Sequence, residues 1–148
     1  MISQDDDWVQ WTREQAAALR DRRFDTLDIE GLAEEIESLG REDRREVERR
    51  LATLVAHLVR QRTQPHLAGR AWEVLIGHQR MEIAMLIRES PSLRAELPAL
   101  FADARESANL LMQLDVGVEG LDFGGVVITL TDALPEEGVG ADHVAPQS

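Results

Sequence analysis

Cysteine, lysine and tyrosine are all absent from the sequence. Without cysteine there can be no disulfide, no thiolate nucleophile and no thiolate metal ligand. Without lysine there is no Schiff-base amine and no phosphate-loop lysine, and all 16 basic side chains are arginine. An all-arginine, alanine-rich composition points to a GC-rich bacterial genome. No apolar run approaches the ~20 residues needed to span a bilayer. Asp5, Asp6 and Asp7 stand where a secretory leader would need positive charge. A cytoplasmic protein with no membrane contact is expected.

Positive charge is also in short supply. The net charge is −12, and the stretch from Asp115 to Ser148 holds seven acids and no arginine. Nucleic-acid binding relies on a basic face for phosphate contacts, so no nucleic-acid partner is expected. With 43% hydrophobic and 30% charged residues over 148 positions, the chain can still bury a proper core.

What is present reads as helix. A first amphipathic helix is expected from about Asp5 to Arg20, with Trp8, Trp11, Thr12, Gln15 and Leu19 on one face. In LDIEGLAEEIESLG, Asp28 can cap a second helix and Leu27 can staple onto Leu32. Ile29, Leu32, Ala33, Ile36 and Leu39 then form its buried stripe, and Gly40 its stop. A third helix from about Glu42 to Gln64 buries Val47, Leu51, Leu54, Val55 and Leu58 and ends before Pro65. Its Arg/Glu run interleaves both signs, with Glu46 and Arg50 at i, i+4, and reads as a solvated, self-paired face.

A fourth helix, about Gly69 to Glu89, carries Trp72, Leu75, Ile76, Ile83 and Leu86 on one face. It has a second apolar strip, Val74, Met81 and Met85, on the other. A helix apolar on two sides is either central in a bundle or covered by a partner. A fifth helix runs from Ser90-Pro91 to about Leu114, bent or restarted at Pro98, with Leu97, Leu100, Phe101, Ala104, Ala108 and Leu111 inward. Beyond Asp115, Val126 to Thr129 could make a short strand or a docked extended segment. The expected fold is an all-α, up-down bundle of about five helices with an irregular or short-strand C-terminal segment. Residues 1–115 form the bundle domain and residues 116–148 an acidic, glycine-rich segment, docked to about 134 and disordered from Pro135 onward.

Together, Trp11, Gln15, Leu19-Arg20 and LDIEGLAEEIESLG resemble a bacterial family known as domain of unknown function 29. The similarity continues through His57-Leu58, Gln64-Pro65, Trp72, Gln79-Arg80 and Pro91-Ser92-Leu93, from roughly Asp5 to Leu111. The resemblance implies an all-α fold found in cyanobacteria and proteobacteria, and no assigned activity. Family members often carry a Cys-Pro segment and a short polar helix at the C-terminal end, where this chain has GGVVITLTDALP.

Chemistry is hard to find in the pattern. No Gly-x-Ser-x-Gly, no His-Glu-x-x-His and no Glu-x-x-His occur, so no catalytic residue, metal site or cofactor is expected. Polar groups on apolar faces are the positive signal. Gln15 lies between Trp11 and Leu19, and Gln79 between Ile76 and Ile83; each is either part of a structural hydrogen-bond network or a ligand contact. His57, Gln61 and Gln64 share a flank of the third helix, and Glu35 could face His57 across the interface between the second and third helices. The candidate ligand residues are therefore Gln15, Glu35, His57, Gln64, Trp72, Gln79 and Arg80. The candidate partner surface is Val74, Met81 and Met85. Protein contact, including self-association, is the expected function; a small-molecule or metal-binding bundle around Glu35, His57 and Gln79 is the alternative.

Overall fold

The computed structural model describes residues 2–66, 69–116 and 125–135. They form five α-helices: α1 (Trp8–Arg20), α2 (Ile29–Thr63), α3 (Arg70–Glu89), α4 (Leu93–Val116) and α5 (Leu130–Ala133). A short 3₁₀ turn, Phe24–Thr26, precedes α2. The all-α helical bundle read from the sequence is correct. Among the described residues there is no strand, and none of their helices is long and apolar enough to cross a membrane.

The largest departure from the sequence reading is α2. It is a single helix of 35 residues that runs straight through Gly40, where a stop was expected. Glycine costs a helix interior only about 1 kcal/mol relative to alanine, and no proline comes after it to forbid propagation. Glu37 and Arg41 pair at i, i+4 across the glycine (3.6 Å). Beyond it, Glu46 reaches Arg49 (2.6 Å) and Arg50 (2.7 Å). The stretch after Gly40 is thus self-supporting helix, and the turn signal is overruled.

The chain divides into two compact units, Met1–Glu42 and Asp43–Ser148, with the division falling inside α2. The sequence boundary expected near 115 falls next to residues 117–124, which lie outside the described residues, as does the stretch after Pro135 expected to be disordered.

The first unit contains α1 and the start of α2. Asp7 caps α1, its side chain accepting from the Gln10 amide (2.9 Å), so the helix begins at Trp8 rather than Asp5. At the other end Arg22 adopts a left-handed conformation (φ 57°). The Arg23 amide donates to Ala18 (2.9 Å) and the Arg22 amide to Leu19 (3.2 Å), a glycine-type helix terminus made without glycine. Only Trp11, Gln15 and Ala18 of α1 are buried. Trp8 and Leu19, expected inward, are roughly half exposed, and Trp8 stacks on Trp11 with centroids 5.3 Å apart. The expected stripe of α2 is also wrong here. Ile29, Ala33, Ile36 and Leu39 are exposed, whereas Leu32 is half-buried. Thirteen residues of α1 offer too little apolar surface to cover that face.

The second unit holds the apolar core. Along α2, Val47, Leu51, Leu54, Val55 and Leu58 are buried as expected, and Ala52, Ala56 and Val59 are buried as well. At ~100° per residue these positions cover more than half the circumference. This part of α2, not α3, is the central helix. Ile76, Ile83 and Ile87 of α3 join the same core. So do Leu93, Leu97, Leu100, Phe101, Ala104, Ala108 and Met112 of α4, which runs unbroken through Pro98. Leu111, expected inward, is exposed; Met112 takes the core position. Ile128, Ala133 and Leu134 complete it, carried by an extended stretch and the single turn of α5 rather than a strand. Thr129 caps α5 reciprocally with Asp132, its side chain accepting from the Asp132 amide (3.1 Å) while Asp132 accepts from the Thr129 amide (2.9 Å).

Candidate functional site

In the first unit, Gln15 is a buried amide at the centre of a polar knot. Its Oε1 accepts from the Asp28 amide (2.8 Å), the donor just ahead of α2. The Asp28 carboxylate caps α2 by accepting from the Gly31 amide (3.0 Å), and it also accepts from the Trp11 indole N–H (3.2 Å). A side chain at Gly31 would press on this arrangement. Its Cβ would lie 2.8 Å from Asp28 Cγ and 3.0 Å from Trp11 Cζ2. The glycine is therefore needed for close approach, not for flexibility. Trp11, Gln15, Asp28 and Gly31 tie the start of α2 onto α1. Gln15 satisfies a backbone donor that would otherwise be lost from solvent at ~1–3 kcal/mol.

Glu35 is half-buried and bonded to the Gln4 side chain. The interface expected to pair it with His57 does not exist, because both residues lie on the one continuous helix. His57 is half-buried, and desolvation, helped by the nearby Arg60 charge, holds its pKa below the ordinary value. Gln64, just past the end of α2, is exposed. Among the described residues, no group of three or more His, Asp or Glu is placed to hold a metal ion.

The second unit has two arginine-centred networks. Arg50 of α2 bridges to α3: its guanidinium meets Glu46 (2.7 Å) and Glu82 (3.5 Å) and donates to Gln79 Oε1 (3.3 Å). Gln79 is half-buried and Trp72, one of the candidate ligand residues, is half-buried on the same helix. The other network fastens the C-terminal segment. Arg80 Nε donates to the Ala133 carbonyl and Nη2 to the Asp132 carbonyl, both at 2.8 Å. Arg62 Nη1 donates to the Val127 carbonyl (2.8 Å) and its Nη2 pairs with Asp132 (3.1 Å). The two Arg80 bonds supply cationic donors to the open carbonyls of a one-turn helix. Arg80 was legible as a site candidate; Arg62 was not, because an arginine near a helix end carries no local sign of a partner 65 residues away. Thr129 and Arg62 together hold the Asp132 carboxyl below its ordinary range.

Beside this clamp runs an open groove of about 420 Å³ between α3 and the C-terminal segment. Gly77, Met81 and Ala84 line one side and Leu134 and Pro135 the other, with Arg80 and Arg88 at its edges. Met81 belongs both to this groove and to the second apolar strip of α3. Val74 (62%), Met81 (53%) and Met85 (43%) are exposed on that strip. They fall within about 40° of one another around the helix axis, on the side away from Ile83. Neither α4 nor the segment through Pro135 covers them.

The model for Domain of unknown function DUF29 matches residues 4–136. The chain belongs to this family. No curated protein and no solved structure gives a match. The match takes in the whole of the Trp11–Gln15–Asp28–Gly31 knot and the Arg62–Arg80 clamp, so both sit inside the DUF29 domain of this chain. Part of the stretch whose residues carried the resemblance, Trp11, Gln15 and the LDIEGL run, turns out to be the knot itself.

Proposed function

We infer that this DUF29 domain works by binding another protein through α3. The observation that carries the reading is the exposed strip Val74, Met81 and Met85 on a helix whose opposite face is committed to the core. Methionine is unbranched and polarizable and adapts to varied partner surfaces. The adjoining groove adds depth: a partner can seat one apolar side chain beside Met81 and Ala84 and place an acidic group against Arg88. The polar groups considered as a ligand site support this reading less directly than they support structure. Gln15, Gln79 and Arg80 are bonded to Asp28, Arg50 and the α5 carbonyls respectively, and Glu35 to Gln4.

The test is a photo-crosslinking residue placed at His78, exposed on the same face, in cells expressing the full chain. The expected outcome is a discrete protein adduct that is lost in Met81→Gln/Met85→Gln while the melting temperature is unchanged. An adduct indifferent to that double substitution, or none beyond that of a probe at exposed Arg105, overturns the proposal.

A further inference from the structure

The first unit has an open apolar face of its own, and its surroundings have a definite sign. Ile29 (59%), Ile36 (68%) and Leu39 (71%) are among the most exposed large hydrophobics of the described residues, and Ala33 lies between them. Ile29 and Ile36 are one heptad apart, as are half-buried Leu32 and Leu39, which is the spacing of a helix-packing seam. At ~100° per residue these side chains span a stripe about 120° wide, enough to receive a second helix. Isolated exposed hydrophobics need no explanation, but a set in register along three turns does.

Acids flank both edges of the stripe. Glu30 and Glu37 border one side, Glu35 and Glu42 the other, and the first unit as a whole carries twelve acids against five arginines. The nearby cation Arg41 is spent on Glu37 (3.6 Å). A second copy of this stripe would set carboxylates against carboxylates along both edges. Three of the next four arginines along α2 are already paired within the chain, and the fourth, Arg45, is exposed. Arg44 is paired with Glu96, Arg49 with Glu46, and Arg50 with Glu46 and Glu82. The chain beyond Pro135 brings Glu136, Glu137 and Asp142 and no arginine.

We propose that the stripe Ile29, Ala33, Ile36 and Leu39 docks an amphipathic helix of another protein whose apolar face is bordered by lysine or arginine. The apolar seam supplies the contact area, and the acidic borders select the partner's charge and speed its encounter. This surface is distinct from the α3 strip and stands whether or not that strip binds anything.

The test uses the full chain and a defined probe: a peptide of about three heptads with leucine at the a and d positions and lysine at the flanking positions. Isothermal titration calorimetry at low and at near-physiological salt should show saturable 1:1 binding that weakens about tenfold or more with the added salt. Ile36→Gln/Leu39→Gln should lower the affinity about tenfold or more with no change in helicity, because both side chains are exposed in the free protein. Met81→Gln/Met85→Gln should leave it unchanged, which separates this surface from the α3 strip. Equal binding of a sequence-scrambled peptide of the same composition overturns the proposal, as does equal binding of the peptide with glutamate in place of lysine. So does indifference to Ile36→Gln/Leu39→Gln. A concentration-dependent dimer of the free protein abolished by that variant would replace the helix partner with a second copy.

Discussion

The two units of this chain are held together by different means. In the second, 21 buried apolar residues among those described, from α2, α3, α4 and the segment around α5, form one cluster. In the first, Trp11 and Ala18 are the buried hydrophobics among the described residues, and specificity comes from three hydrogen bonds converging on Gln15 and Asp28. Apolar burial is non-directional and summed over many atoms, so a core loses strength gradually. A polar knot is directional and has few members, so each one matters. The same contrast explains the surfaces. A unit with so little buried apolar surface cannot cover an amphipathic helix, and Ile29, Ile36 and Leu39 are left outside.

Damaging each unit separately tests this contrast most directly. Leu54→Ala removes a fully buried side chain from the central helix and should cost ~2–5 kcal/mol, the largest effect expected of a single change. Thermal unfolding monitored by far-UV circular dichroism should show a lowered main transition. An unchanged transition would mean that the second unit is not the source of cooperative stability.

Gly31→Ala should act next most strongly, at ~1–3 kcal/mol, because its Cβ would sit against the Asp28 carboxyl and the Trp11 ring. The damage should be confined to the first unit. Amide hydrogen exchange should rise in residues 8–31 while residues 47–59 keep their protection, and the Trp8–Trp11 fluorescence should change. Equal loss of protection in both stretches would show that the units unfold as one and that the contrast is only geometric.

How much of this was legible in the sequence also differs between the units. The core of the second could be read from periodicity: Val47, Leu51, Leu54, Val55 and Leu58 are buried, as are Leu97, Leu100, Phe101, Ala104 and Ala108. Asp28 as a cap was equally clear, because capping is a local chemistry. Gly40 failed for the opposite reason. Whether a glycine stops a helix depends on the residues after it, and here an Arg/Glu run of strong helix formers carries the helix on. Taken as a stop, Gly40 divides α2 in two and implies a helix–helix interface where the chain has one continuous helix. Periodicity also promised burial for Ile29, Ile36 and Leu39, yet a pattern shows only that a face is apolar. What covers it depends on how much surface the rest of the unit offers. Of the candidate site, Gln15 and Arg80 were found by residue type and position, but their partners are a backbone amide and two carbonyls, which have no sequence identity. Arg62 gave no signal at all.

The smallest effect is a matter of pH, and it belongs to the second unit. His57 has a folded pKa below its ordinary value of 6.5, so the unfolded chain binds the proton more readily. Stability therefore rises with pH through this window, and falls as pH drops from about 6.5 toward the folded value. Asp132 adds a second window. Its pKa is also lowered, from an ordinary 3.8, by Thr129 and Arg62, so its contribution is present above that value and lost as pH falls below it. The two can be separated because they titrate in different ranges and one can be removed. Melting temperatures between about pH 7.5 and pH 5 should fall slightly for the native chain, and more gently for His57→Gln, which has no proton to take up. Protection of the amides of residues 126–134, taken relative to their intrinsic exchange rates, should hold until the pH approaches the Asp132 range and then fall as the Arg62 pairing is lost. If His57→Gln leaves the slope above about pH 5 unchanged, burial of the imidazole is not what sets it, and carboxylates elsewhere in this acidic chain are.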